Sequence, residues 1–338
     1  MEAIELEKQR LSSQSLVPQL DELRDLLEVD SCEPSYDLLT GVLLHPLKEF
    51  LSFEGKRLRT EMIEIAFLAA GGTLDPHAQE RLDLCSQFVE GLHAGSMIID
   101  DIQDQSEIRR GRSAFHCQYG LGVALNAGNW LYFQSLDKIR KLRLIPEQEI
   151  ELQHYIHKVL IKAHMGQAID VGVSIPSLPQ EKVASTCLTV MELKTGALMS
   201  LAFDLGWFMA QPCILPSSNG RGFAKRFGMA LQMFDDIGNF LASPPKGKED
   251  IKNGRPSFIW LIASKISSQN DYLSFIEATQ KLPDDSFLNA WSLSFNLIQE
   301  SKKVASQYLW RSLDFFQVNE DLNQKIQSLF HKLEGAYV

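Results

Sequence analysis

Residues 88–122 read FVEGLHAGSMIIDDIQDQSEIRRGRSAFHCQYGLG, and the rest of the chain has to serve what this stretch needs. Its upstream part, Phe88 to Ile99, is apolar and small. It runs into three carboxylates, Asp100, Asp101 and Asp104, and five residues later come Arg109, Arg110 and then Arg112. On a helix, positions 100 and 104 share a face. Two carboxylates a few ångströms apart repel by about 1 kcal/mol even in bulk water, and by more in a partly buried cleft, so a cation belongs between them. Oxygen-only ligands suit Mg²⁺, which keeps several waters and is usually completed by substrate phosphates. The arginines just beyond offer the planar forks that grip phosphate. The competing reading is a solvated helix end, acidic and then basic.

Working outward, the composition is that of an ordinary soluble globular chain: 338 residues, 45% hydrophobic and 22% charged. A net charge of -10 and a pI near 5.3 argue against nucleic acid or an anionic membrane surface as partner. Cys32, Cys85, Cys117, Cys187 and Cys213 are widely spaced and form no CxxC, which indicates neither a disulfide framework nor a zinc site. The start lacks the apolar core of a signal peptide, and no run reaches the ~18 apolar residues of a membrane span. A cytoplasmic protein is expected.

Apolar residues recur at three and four spacing over Leu16–Leu27, Tyr36–Leu51, Met62–Ala70, residue 78 into the aspartate run, 123–145, Glu147–His164, Lys182–Met209 and Tyr272–Val338. Pro34 and Pro46 punctuate the first helices, and Ser174–Gln180 and Gln211–Gly220 read as loops. Pro283-Asp284-Asp285 is a helix start with no chemistry assigned. With no strand alternation and no linker, the reading is one all-α domain over residues 1–338.

Two further stretches carry charge in a pattern. Phe53 to Thr60, FEGKRLRT, delivers Lys56, Arg57 and Arg59 immediately before an apolar helix. Cations at a helix start oppose the macrodipole; a bound diphosphate relieves that conflict. Gln232, Asp235, Asp236 and Asn239 fall at helical offsets of three, four and seven, so they line one stripe, with Lys194 and Thr195 joining from a neighbouring helix.

His93, Ser96, Asp100-Asp101-Ile102-Gln103-Asp104, Arg109-Arg110-Gly111 and His116 together resemble the first aspartate-rich motif of the trans-isoprenyl diphosphate synthases, the polyprenyl synthetase family. Gly55–Thr60, Gln167 with Asp170, Glu192–Gly196, Leu231–Asn239 and the loop Gly247–Ser257 are similar to further elements of that family, so the likeness spans roughly Gly55 to Ser257. The resemblance implies a single large helical bundle of the isoprenoid synthase type with a central active-site cavity, and a homodimer. It implies Mg²⁺ held by Asp100, Asp104 and Asp235, with Asp101 and Asp236 in support. It also implies Arg109, Lys194 and Lys248 on the allylic diphosphate, and Thr195 and Gln232 presenting oxygen dipoles to the allylic cation. Lys56, Arg57, His93 and Arg110 would hold isopentenyl diphosphate. The chain departs from the pattern at Asn239, where a third aspartate of the metal set is usual, and at Arg255, where a lysine is.

The function implied is condensation of isopentenyl diphosphate with an allylic diphosphate. A terpene cyclase on the same fold is the alternative, and a non-catalytic partner subunit a remote third. Glu90-x-x-His93 and Glu151-x-x-His154 also match the ExxH of di-iron bundles, but such a site has no phosphate-gripping cations, whereas His93 lies two turns before a triple-aspartate cluster, and Glu151 belongs to the acidic run Glu147, Glu149, Glu151; His154, His157 and His164 read as surface. In the family a bulky aromatic about five residues before the motif closes the prenyl pocket, and Gly95 stands there. With Gly91, Leu92, Ser96 and Ile99 beside it and Phe88 as first floor, the expected product is of geranylgeranyl size or longer. Gly95→Phe is expected to shorten it, unless Trp130 or Phe133 closes the tunnel.

Overall fold

The computed structural model describes residues 16–17, 37–52, 57–212, 218–242 and 248–336. The all-α expectation holds: helix follows helix, and the described residues add only one two-stranded hairpin. By internal contacts the chain forms two compact units, Met1–Glu61 with Leu74–Leu144, and Met62–Thr73 with Ile145–Val338. The expected helix over Leu16–Leu27 lies almost entirely outside the described residues.

The first unit opens with α1, His45–Leu51, entered through a π-helical turn over Thr40–Leu44. Pro46 therefore does not break this helix. It occupies the first α-helical turn, where a missing N–H costs least, and the wider π turn before it absorbs the mismatch. After the start of α2 (Leu58–Ala69) comes α3, Pro76–Asp104. The Asp75 side chain caps it by accepting the Ala78 N–H at 2.8 Å, and Pro76 fills its first position. A hairpin of β1 (Ile108–Arg109) and β2 (Arg112–Ser113) leads into α4 (Phe115–Tyr119) and α5 (Leu121–Arg140).

α3 and α5 meet through residues with almost no side chain. A Cβ at Gly95 would lie 2.8 Å from the Gly128 carbonyl oxygen and 3.2 Å from Leu131 Cβ; one at Gly128 would lie 2.8 Å from Ile99 Cδ1. Leu47, Ile98, Phe115 and Leu131 close the core around this crossing with Ala94, Ala124 and Ala127. The expectation built on Gly95 is thereby corrected. Gly95 exists to admit α5, and the space it leaves is filled by backbone rather than open to a growing tail. Phe88 is fully buried, Trp130 packs against the same core, and Phe133 is 72% exposed.

In the second unit α6 (Pro146–Gly172) precedes a long helical path: α7 (Gln180–Met191), a π turn over Glu192–Gly196, and α8 (Ala197–Ala210). Then come α9 (Ser218–Leu241), short α10 (Glu249–Lys252), α11 (Phe258–Ile266), α12 (Gln269–Gln280), α13 (Ser286–Ser294), α14 (Leu297–Trp310) and α15 (Glu320–Gly335). α8 and α9 carry Phe203, Phe223 and Phe227 into a buried aromatic stack with Phe316 and Phe330. Burying each such ring contributes on the order of 2–3 kcal/mol. Gly206 lets α8 press on α2, because any Cβ there would overlap the Ile63 carbonyl. Asp204, buried beneath, accepts the Tyr155 hydroxyl and the Arg221 Nε at 3.0 Å, which offsets the cost of desolvating its charge.

Candidate active site

In the first unit the aspartate run occupies the last turns of α3. Asp100 and Asp104 are partly exposed there, one turn apart. Tyr132 of α5 stands close enough to feel Asp100: burial first, and then that carboxylate, push its phenol up. Asp101 points the other way. It is fully buried, and both its oxygens accept Arg109 Nε, at 2.8 and 3.1 Å, with Nη2 adding a second prong. Asp101 and Arg109 thus hold each other and anchor the hairpin to the end of α3. In this geometry neither the metal-supporting role expected of Asp101 nor the phosphate grip expected of Arg109 is on display.

Arg110 and Gly111 are the two central residues of the hairpin, since Arg109 pairs with Arg112. Both have positive φ, 51° and 76°, as the mirror-image turns that match strand twist require. Glycine adopts this freely; an arginine there is strained by roughly 1–2 kcal/mol. The turn delivers Arg110 to a cavity of about 100 Å³ whose lining includes Arg57, Thr60, Glu90, His93, Met97 and Arg110. Arg57 also has positive φ, 50°. His93 is held well below the usual histidine range by burial, and then by the charges of Arg59, Arg110 and Arg109. Three of the four groups expected to hold isopentenyl diphosphate therefore line one cavity. Lys56, the fourth, lies outside the described residues.

In the second unit the π turn carries Lys194 and Thr195. Two glycines seat it: a Cβ at Gly166 would come within 2.7 Å of Leu193 Cβ, and one at Gly228 within 2.7 Å of the Thr195 carbonyl. Thr195 Oγ1 donates to Gln232 Oε1 at 2.7 Å, Gln232 Nε2 donates to Asp236 Oδ1 at 2.7 Å, and the Phe258 N–H donates to Asp236 Oδ2 at 2.6 Å. Asp236 is buried at the end of this relay, and burial raises its carboxyl well above the usual range despite those two donors. The structure places it as an anchor for Gln232, not beside Asp235 on an open metal face. Gln232 spends its oxygen on Thr195, which leaves the Thr195 hydroxyl oxygen as the outermost acceptor.

Lys194 forms an ion pair with Asp170. Asp250 lies near both and near Asp235: burial, then Asp170, push its carboxyl up to about 6, against the pull of Lys194. Asp170 and Asp250 are site groups to which the sequence reading gave no role; their signal was the acid closing Gln167–Asp170 and the acid inside the loop Gly247–Ser257. Lys248, in the left-handed region at φ 70°, bonds Asp285 at 2.5 Å; Asp285 is the residue just before α13, where the sequence reading placed a helix start. Arg255 Nη1 donates to the Asp170 and Val171 carbonyls at 3.3 and 2.5 Å, where cations favour a helix C-terminus. Asn239 is partly buried, and its carbonyl accepts the Lys248 N–H at 3.3 Å.

Among the described residues no three His, Cys, Asp or Glu side chains converge as a metal cage. A Mg²⁺ site that keeps its waters and is completed by substrate phosphates needs one or two carboxylates rather than a cage. The Asp100 and Asp104 pair of the first unit fits that donor chemistry, and so, taken by itself, does Asp235 of the second.

Residues 40–287 match the family model described as polyprenyl synthetase. The chain belongs to the polyprenyl synthetase family. It is accordingly a prenyltransferase. A geranylgeranyl pyrophosphate synthase of Penicillium canescens is 28% identical over 258 residues, covering 75% of this chain and 72% of that protein. A copalyl diphosphate synthase of Talaromyces verruculosus is 27% identical over 290 residues, 82% of this chain but only 28% of that protein. The backbone is similar to the crystal structure of geranylgeranyl pyrophosphate synthetase from Pyrococcus horikoshii, with TM-score 0.75 and 19% identity over 98% of this chain and 95% of that one. The fold is therefore that of the all-α isoprenoid synthases.

Proposed function

We propose that this polyprenyl synthetase condenses isopentenyl diphosphate with an allylic diphosphate in a Mg²⁺-dependent reaction. The observation that carries the reading is the cavity lined by Arg57, His93 and Arg110. A chain-elongating enzyme needs this second diphosphate site; a cyclase, which ionises one allylic diphosphate alone, does not. Asp100 and Asp104, and Asp235 on the second unit, would hold Mg²⁺, whose charge would offset that of the leaving diphosphate. Lys194, which like Asp235 lies near Asp250, would contribute a cation, and the Thr195 oxygen would face the allylic cation as its C–O bond breaks. Arg57, His93 and Arg110 hold isopentenyl diphosphate so that its double bond attacks, forming the new C–C bond, and a proton passes to the departed diphosphate. Asp101, Asp236 and Gln232 position their neighbours.

The product is proposed to be of geranylgeranyl size, the size named for the Penicillium relative. Incubating the pure protein with farnesyl diphosphate, with and without isopentenyl diphosphate, checks both points. Elongation by one isoprene unit is expected; a hydrocarbon released from the allylic substrate alone would establish the cyclase instead.

A homodimer is proposed from α5, whose outer face carries Leu121, Leu125, Phe133 and Leu136 exposed at helical spacing. Sedimentation should give twice 38.2 kDa at micromolar concentration, and the monomer mass would refute it. Among the described residues no helix is long and apolar enough to cross a membrane. Cys85, Cys117 and Cys187 are free thiols, which accords with a cytoplasmic setting.

A further inference from the structure

Once His93 is taken as a diphosphate contact, its ExxH partner Glu90 has no task. Glu90 stands one turn before His93 on the α3 face that lines the cavity, at a spacing that makes helical neighbours. Its Oε1 is buried with no hydrogen-bond partner among the described residues. A carboxylate in a phosphate-gripping cavity would repel the ligand unless a proton or cation stood between them. The other charged groups around His93 are Arg57 and Arg59 at the start of α2, Asp83 on α3, and Arg109 and Arg110 on the hairpin.

We propose that Glu90 is a positioning residue of the isopentenyl diphosphate cavity: it orients the His93 imidazole and stabilises it as an imidazolium once a diphosphate has entered. This rests on reading that cavity as a diphosphate site. Before binding, burial and the surrounding arginines keep the ring neutral. An arriving diphosphate reverses the local charge and raises the affinity of the ring for a proton, which comes from solvent. The ring then donates through one nitrogen to phosphate and through the other to Glu90. Binding that takes up a proton weakens as pH rises, by up to about tenfold in Kd per pH unit.

Calorimetric titration of isopentenyl diphosphate into the full chain, in two buffers of different ionisation heat, counts the protons taken up. The wild type should take up more than His93→Gln. Glu90→Gln should lose the same increment, bind about tenfold more weakly, and lose the pH dependence of KM for isopentenyl diphosphate, with KM for the allylic diphosphate unmoved. Equal uptake by wild type and His93→Gln overturns the proposal, whether or not a Glu90 variant folds. So does Glu90→Gln with wild-type uptake and affinity. If isopentenyl diphosphate does not bind the wild type, the reading of the cavity fails and the proposal falls with it.

Discussion

Asp100→Ala is expected to lower turnover at least about a thousandfold, on the order of 4 kcal/mol of barrier, while leaving the melting temperature near that of wild type. Asp100 is partly exposed at the end of α3, so its truncation leaves no cavity in the core and the loss should fall mainly on the chemistry. The measurement is a Mg²⁺-dependent assay with labelled isopentenyl diphosphate, read beside a thermal melt. Near-normal turnover would take Asp100 out of the metal site. Its neighbour Asp101 differs in kind: it is fully buried against Arg109.

The second large effect is structural. Gly95→Phe is expected to abolish folding rather than to shorten the product. Overpacking by even a few methylenes costs about 1–3 kcal/mol, and here a whole ring would have to enter where a Cβ alone comes within 2.8 Å of the Gly128 carbonyl. Backbone cannot turn aside as a side chain can. Against a total stability of roughly 5–15 kcal/mol, the variant should be insoluble or should melt far below wild type. A soluble variant with a wild-type melt and a shorter product would restore the tunnel reading of Gly95.

These two residues also measure how far the sequence could be read. The aspartate run, the RRG hairpin residues and the helical periodicity all led to the family, because each depends on spacing alone. What spacing leaves open is direction. Asp100 and Asp101 look equivalent on paper, yet consecutive helical residues are about 100° apart, so one of the pair must turn inward; the same holds for Asp235 and Asp236. Gly95 posed the same difficulty, since a missing side chain admits either a ligand or another helix, and only the position of Gly128 decides. The helix read over Tyr36–Leu51 does run through Pro46, but the π turn that accommodates the proline has no strong residue signature. Lys248 is placed by the resemblance alone, and Arg255 is a departure from it; their partners, Asp285 and the carbonyls closing α6, are distant in the sequence.

The relay from Thr195 through Gln232 to Asp236 ends on a main-chain donor, the N–H of Phe258. That ending sets how the site tolerates genetic drift. A relay that ends on a side chain can be cut by a substitution at its last link; this one keeps its terminal donor whatever residue stands at 258, proline excepted. The vulnerable links are the interior ones, Gln232 and Asp236, where a change of charge or length would leave a buried polar atom unsatisfied on each side. Relatives are therefore expected to vary freely in apolar type at 258 while holding an amide at 232 and an acid at 236, a pattern that an alignment of their sequences checks directly.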